Sequence, residues 1–126
     1  MSHHSYRLIE VTRYHRVLVV TFKKSMLVHE DDACDLRADL EYIRHNLKAA
    51  TTLIDCDEVR FISSSVLSAL FTFQLELKKK CHSMALCRLQ DQIDMTLRMF
   101  GLDKSFTLSD GSELPSQFVL THAHAA

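Results

Sequence analysis

The chain has 126 residues, with 15 lysines and arginines against 16 aspartates and glutamates, so its formal charge is −1 with histidine neutral. That length suits one domain over residues 1–126, with a core over about residues 6–108 and a C-terminal tail or short helix over 109–126; a chain of this size buries roughly two thirds of its unfolded surface. A near-zero charge without a basic block offers no electrostatic footprint for nucleic acid or an anionic membrane, and two glycines, Gly101 and Gly111, cannot build a phosphate-cradling loop, so no nucleotide cofactor is expected.

No window approaches the ~20 apolar residues of a membrane span, and no apolar run follows the N-terminal histidines, so neither insertion nor secretion is expected and the cytoplasm is the expected compartment. Cys34, Cys56, Cys81 and Cys87 fit reduced thiols there, acting as small apolar fillers. Cys81, His82 and Cys87 lack a C-x-x-C pair and the ligand spacing of structural zinc, so no metal is expected.

In chain order, Tyr6 to Val11 and Val17 to Phe22 are β-branched and aromatic runs that predict an antiparallel hairpin, the second run being apolar on both faces and therefore internal. A polar linker follows. Asp31 and Asp32 then mark a helix start, and Leu36, Leu40, Ile43 and Leu47 recur at helical spacing. Thr52 to Cys56 predicts a short buried strand, ended by the charges of Asp57, Glu58 and Arg60.

After Phe61 and Ile62, the serines Ser63, Ser64 and Ser65 precede a long helix. Val66, Leu70, Phe73 and Leu77 form one stripe of it, with Leu67 and Phe71 beside them. Lys78 to Lys80 close that helix as a solvated end. Ser83 to Cys87 predicts another buried strand, Ile93, Leu97 and Phe100 the face of a helix stopped by Gly101, and Phe106 to Leu108 a last short strand. The order β-β-α-β-α-β-α-β predicts an α/β fold: a mixed sheet whose opening hairpin is antiparallel and whose remaining β-α units are parallel, packed with three to four helices.

The serine triplet carries the most local chemistry. At a strand-to-helix junction the amides of the first turn are unpaired and the helix dipole is positive, so a hydroxyl there caps the helix. A phosphate there is tolerated by its own helix yet puts about −1.5 to −2 charges on the surface a partner touches. Both capping and switching fit the triplet. A catalytic serine would need a base and an orienting carboxylate; the eight histidines supply bases by number only, His3, His4, His122 and His124 fall in frayed ends, and no Gly-x-Ser-x-Gly elbow surrounds the serines. No enzyme is expected. Protonating all eight histidines would carry the formal charge from −1 to +7, so solution behaviour should change below about pH 6.5. Asp55, Asp57 and Glu58 do not form a visible cage for a divalent cation: Asp55 lies on the strand face opposite Ile54, and the other two read as solvated loop charges.

The segment from Leu53 to Leu70, with Ile54-Asp55-Cys56-Asp57-Glu58-Val59-Arg60-Phe61-Ile62-Ser63-Ser64-Ser65-Val66 at its centre, resembles the central segment of STAS domains, the fold of bacterial anti-sigma factor antagonists. Met84 to Leu89 and Gly101-Leu102-Asp103-Lys104-Ser105-Phe106 resemble later parts of the same family, and the likeness runs from about Tyr6 to Leu108. It implies a non-enzymatic signalling module in a partner-switching circuit that regulates transcription: the unphosphorylated form binds an anti-sigma factor that is also a serine kinase, phosphorylation releases it, and a phosphatase resets it.

Aligned with the family, the phospho-acceptor falls on Ser64, with Ser65 as a secondary target. Ser63 stands where the family usually has Asp, and Val66 where it usually has Gly. The partner surface implied comprises Leu27 and His29 with Met26 before the first helix, Asp57, Arg60 and Ile62 in the following loop, and Ser63 to Val66 at the second helix start. The alternative is a constitutive accessory or scaffold subunit that docks on a transporter ATPase or signalling complex without phosphorylation, with Val66 as an apolar contact.

Overall fold

The computed structural model describes residues 4–108. Its chain opens with β1 (Ile9–Tyr14) and β2 (Val17–Phe22), antiparallel with Ile9 opposite Phe22 and Tyr14 opposite Val17. The connecting loop is His15-Arg16 alone, and His15 sits at φ +55, the left-handed backbone a tight hairpin needs. The first strand is shifted toward the C-terminus relative to the apolar run from Tyr6. Asp39 explains the shift, because its carboxylate accepts the backbone N–H groups of Arg7 at 2.9 Å and Leu8 at 2.8 Å. Those amides are satisfied by a helix side chain, and strand pairing begins after them.

Seven elements follow: β3 (Met26–Leu27), α1 (Glu30–Asn46), β4 (Thr51–Asp55), β5 (Phe61–Ile62), α2 (Ser64–Lys78), β6 (Ser83–Cys87) and α3 (Asp91–Met99). The main sheet has the order β1-β2-β4-β6, with β2, β4 and β6 mutually parallel. This is the mixed sheet with an antiparallel opening hairpin that the sequence predicts, with three helices among the described residues. The region read as a polar linker holds more structure than expected: β3 pairs in parallel with β5, Met26 opposite Phe61 and Leu27 opposite Ile62.

The period-two alternation of the strands divides the apolar residues between two faces. On one, Leu18, Val20, Ile54 and Leu86 join the helix stripes Leu36-Leu40-Ile43 and Val66-Leu70-Phe73-Leu77 in the main core. On the other, Val17, Val19, Leu53, Ala85 and Cys87 form a smaller cluster. Cys56 and Cys87 are the fillers that the sequence predicts, whereas Cys34 and Cys81 are exposed, and no disulfide joins the four. Burial, with Cys87 and Asp55 adding to it, pushes the Cys56 thiol far up, so it stays protonated and unreactive.

Three expectations need correction. Phe100 is 59% exposed rather than buried beside Ile93 and Leu97, because α3 ends at Met99 and Phe100 leaves the helical track before Gly101 turns at φ +69. Phe106 to Leu108 makes one bridge, Leu108 to Leu86, and no strand. Here the buried side chain of Gln74 competes: it donates to the Ser105 carbonyl at 2.8 Å and accepts from the Thr107 N–H at 3.3 Å. His4 is docked rather than frayed, its ring stacked on Tyr42 at 3.4 Å. The tail over 109–126, with His122 and His124, lies outside the described residues, as does His3.

Candidate partner-binding site

Parallel strands deliver their following loops to one end of a sheet, and three loops meet there. They run over residues 23–29 after β2, 56–63 after β4 and 88–90 after β6. The β3–β5 pair ties the first two together: Arg60 N–H donates to the Ser25 carbonyl at 2.8 Å, and Ser63 N–H to the Leu27 carbonyl at 2.9 Å. The N-termini of α1 and α2 therefore leave adjacent strands side by side.

The middle loop is held from behind by ionic contacts. Asp55 is buried at the end of β4 and takes two bonds from Arg88, Nε to Oδ1 at 3.1 Å and Nη2 to Oδ2 at 2.7 Å. Arg88 sits at φ +52, an unusual backbone for a residue with a side chain, and this bidentate pair fixes its direction. The Asp55 Oδ1 also accepts from the Asp57 N–H at 3.1 Å, and Gln90 donates its amide to the Asp57 carbonyl. Asp57 itself is half-buried, 3.8 Å from Arg88. The acid on the far face of an apolar strand was the signal for this network, since a buried carboxylate requires a partner. Arg88 and Gln90 were not assigned that part from the sequence. Among the described residues no cluster of His, Cys, Asp and Glu is arranged to hold a metal.

At the start of α2 the three serines differ in what they do. Ser63 is the N-cap in extended backbone, its Oγ accepting from the Val66 N–H at 3.2 Å while its carbonyl receives the Leu67 N–H. Ser64 and Ser65 occupy the first two helical positions with exposed side chains. No acidic residue stands in the first turn of α2, so its amides face solvent with only the Ser63 hydroxyl to satisfy them.

Of the other expected surface residues, His29 and Arg60 are exposed and Ile62 is half-buried. Val66 and Leu27 are not on the surface at all. Both are 0% exposed and belong to the main core, because Val66 begins the inward stripe of α2 and Leu27 is the inward residue of β3. The apolar exposure comes instead from Met26 at 51% and its strand neighbour Phe61 at 50%.

The STAS domain pattern matches residues 9–114. This chain belongs to the STAS domain family. Solved structures agree with that fold. An anti-sigma factor antagonist from Thermotoga maritima, so described provisionally, superposes with a TM-score of 0.74 at 13% identity, covering 90% of this chain and 92% of that one. The Bacillus cell fate determinant SpoIIAA in its phosphorylated form gives 0.67 at 12% identity, covering 92% and 99%. A sulfate transporter family protein from Wolinella succinogenes gives 0.61 at 19% identity, covering 84% and 88%. Comparison with curated proteins returned no match. In this STAS domain no helix among the described residues is long and apolar enough to cross a membrane.

Proposed function

We propose that this STAS domain is a cytoplasmic, non-enzymatic binding module of the anti-sigma factor antagonist type, switched by phosphorylation of Ser64. The observation that carries the reading is the division of labour among the serines. Ser63 spends its hydroxyl on the cap, which leaves Ser64 and Ser65 exposed on a helix end without carboxylates, and the likeness to the family selects Ser64 of the two. The partner is an anti-sigma factor with serine kinase activity, and a phosphatase removes the phosphate.

Docking on the unphosphorylated form rests on Phe61 and Met26, the half-exposed aromatic and thioether beside the serines. His29, Arg60, Asp57 and Ile62 form the rim, and Leu27 and Val66 support the surface from beneath. A phosphate on Ser64 meets the positive end of α2, which accommodates it, at the same end of the molecule as the exposed acids Glu30 and Asp31 of α1. It thereby changes the charge of the docking surface without unfolding the helix under it.

The test is incubation with an anti-sigma factor kinase from the same organism and ATP, followed by mass mapping and binding measurements. A single phosphate on Ser64, binding by Ser64→Ala after kinase treatment, and at least tenfold weaker binding by Ser64→Asp are expected. Unchanged mass at Ser64, or equal binding by Ser64→Asp and wild type, overturns the switch. The accessory reading, docking on a transporter ATPase without phosphorylation, relied on Val66 as an apolar contact, and its burial removes that support.

A further inference from the structure

The end of the molecule opposite the serines holds a different chemistry. The turn of the opening hairpin, the C-terminal ends of α1 and α2 and the start of β6 converge there: Thr51 N–H reaches the Arg16 carbonyl, Ser83 N–H the Ala50 carbonyl, and Arg13 the Lys48 carbonyl at 3.0 Å. Arg13, Arg16, Arg44, Lys48 and the run Lys78 to Lys80 lie at this end, where among the described residues Glu41 and Glu76 supply the ion pairs to Arg44 and Lys79. Sequence-wide neutrality therefore conceals a strongly basic end. Between the two helix ends lies a pocket of about 330 Å³, with Leu47, Ala49 and Leu77 as its apolar part and Arg44, Lys48, Lys80 and His82 as its polar part.

We propose that this pocket binds a small phosphate monoester, at a site separate from the serine surface. Cations at helix ends ordinarily answer the negative pole of the dipole. Lys48 and Lys80, however, lie beyond the last residues of their helices and line the pocket, and among the described residues neither is within 4 Å of a carboxylate.

Arg44 contributes in another way. One of its terminal nitrogens is engaged by Glu41 at 2.9 Å, while its buried Nε has no hydrogen-bond acceptor. That Nε is closed off from solvent, so Arg44 lends the pocket its positive charge and not a hydrogen bond from Nε. With the Arg44 Nη2 taken by both oxygens of Glu41 and its Nη1 3.9 Å from Glu76, the remaining charges are compact lysine ammonium groups, which suit a phosphate of three equivalent oxygens better than a planar carboxylate that calls for a bidentate fork. The volume falls within the range of small-molecule sites, about 300–1,000 Å³, and the apolar wall has room for a short carbon chain. The 15 residues of α2 separate the pocket from Ser64 by about 20 Å.

The test is a nitrogen-15 amide titration of the whole chain with butyl phosphate, with inorganic phosphate and with sodium chloride at matched ionic strength. Saturable shifts at Leu47, Ala49, Thr52 and His82 are expected with butyl phosphate, at least threefold tighter than with inorganic phosphate, and at least tenfold weaker in the Lys48→Ala, Lys80→Ala double variant. The Ser64 amide stays in place. Shifts that grow without saturation and match sodium chloride show screening of a basic surface and overturn the site. So do shifts that survive the double variant. Equal affinity for the two phosphates overturns the monoester in favour of a bare anion.

Discussion

Two helices leave adjacent strands at the same end of this molecule, and their N-termini are finished in opposite ways. The first turn of α1 carries Glu30, Asp31 and Asp32, and the buried Asp32 accepts the His29 N–H at 3.1 Å while pairing with Lys24. The first turn of α2 carries no acid, only Ser63 as cap and two exposed hydroxyls. The positive pole of α1 is thus neutralised from within its own sequence, whereas that of α2 meets no carboxylate of its own first turn. The contrast teaches that Ser64 sits where a negative group is cheapest to accept, next to a helix end where one more would be redundant.

The largest break in this comparison comes from beneath α2. Val66 is fully buried, so Val66→Gly removes its whole side chain from the core and adds backbone freedom in the first turn, lowering stability by about 3 kcal/mol. Urea unfolding measures it. A loss under about 1 kcal/mol would mean that the start of α2 is not anchored by Val66, and that the glycine usual in the family could stand here without cost.

The next effect belongs to α1. Asp32→Asn weakens both the cap and the Lys24 pair, at an expected cost of about 1–2 kcal/mol at pH 7. Burial alone would raise the Asp32 pKa, but the hydrogen bonds from Lys24 and the His29 N–H outweigh it and hold the group below its ordinary value of 3.8. A carboxyl lowered in the folded state contributes fully above its unfolded pKa and loses that contribution as pH falls through the folded one. The gap between wild type and Asp32→Asn should therefore be complete at pH 7 and close below about pH 4. A gap that is unchanged at pH 3 would assign the effect to shape and not to charge. Ser63→Ala on α2 is smaller, about 1 kcal/mol, because one neutral cap bond is lost at a half-exposed position.

These residues also show what the sequence could and could not disclose. Apolar spacing placed α1, α2, β2 and β6 because each buries a stripe or face, and helix-start chemistry placed the serines at the head of α2. The two-residue strands β3 and β5 are too short to carry a period, so their pairing was invisible, and the likeness to the family was what put His29 on one surface with the serines. Val66 was misjudged for a related reason. Its place in a motif suggested contact, whereas its place in the stripe with Leu70 and Phe73 already indicated burial, and the stripe prevails because packing fixes the face. Strand boundaries failed where a distant side chain took the backbone bonds, Asp39 at Arg7 and Leu8, Gln74 at Ser105 and Thr107. The basic end went unnoticed since Arg13, Arg44, Lys48 and Lys80 are scattered along the chain and become neighbours only when the helix ends meet the hairpin turn.

The smallest effect is the one that makes the two helix starts alike. Ser63→Asp gives α2 a carboxylate that can accept from the Val66 N–H as the hydroxyl does, and adds a favourable charge at the positive pole. Opposing it is the charge of Glu30 and Asp31 on the neighbouring helix, screened because those side chains are exposed. The balance should be a gain of about 0.5 kcal/mol, read as a rise of about 2 °C in Tm. Salt separates the two contributions, since raising it weakens both the dipole attraction and the repulsion from α1. If the gain grows with salt, repulsion from α1 dominates. If it shrinks, the dipole of α2 dominates, and the open end of this helix favours negative charge. A loss of stability at every salt concentration would instead mean that the α2 start cannot take an acidic cap beside the acidic first turn of α1.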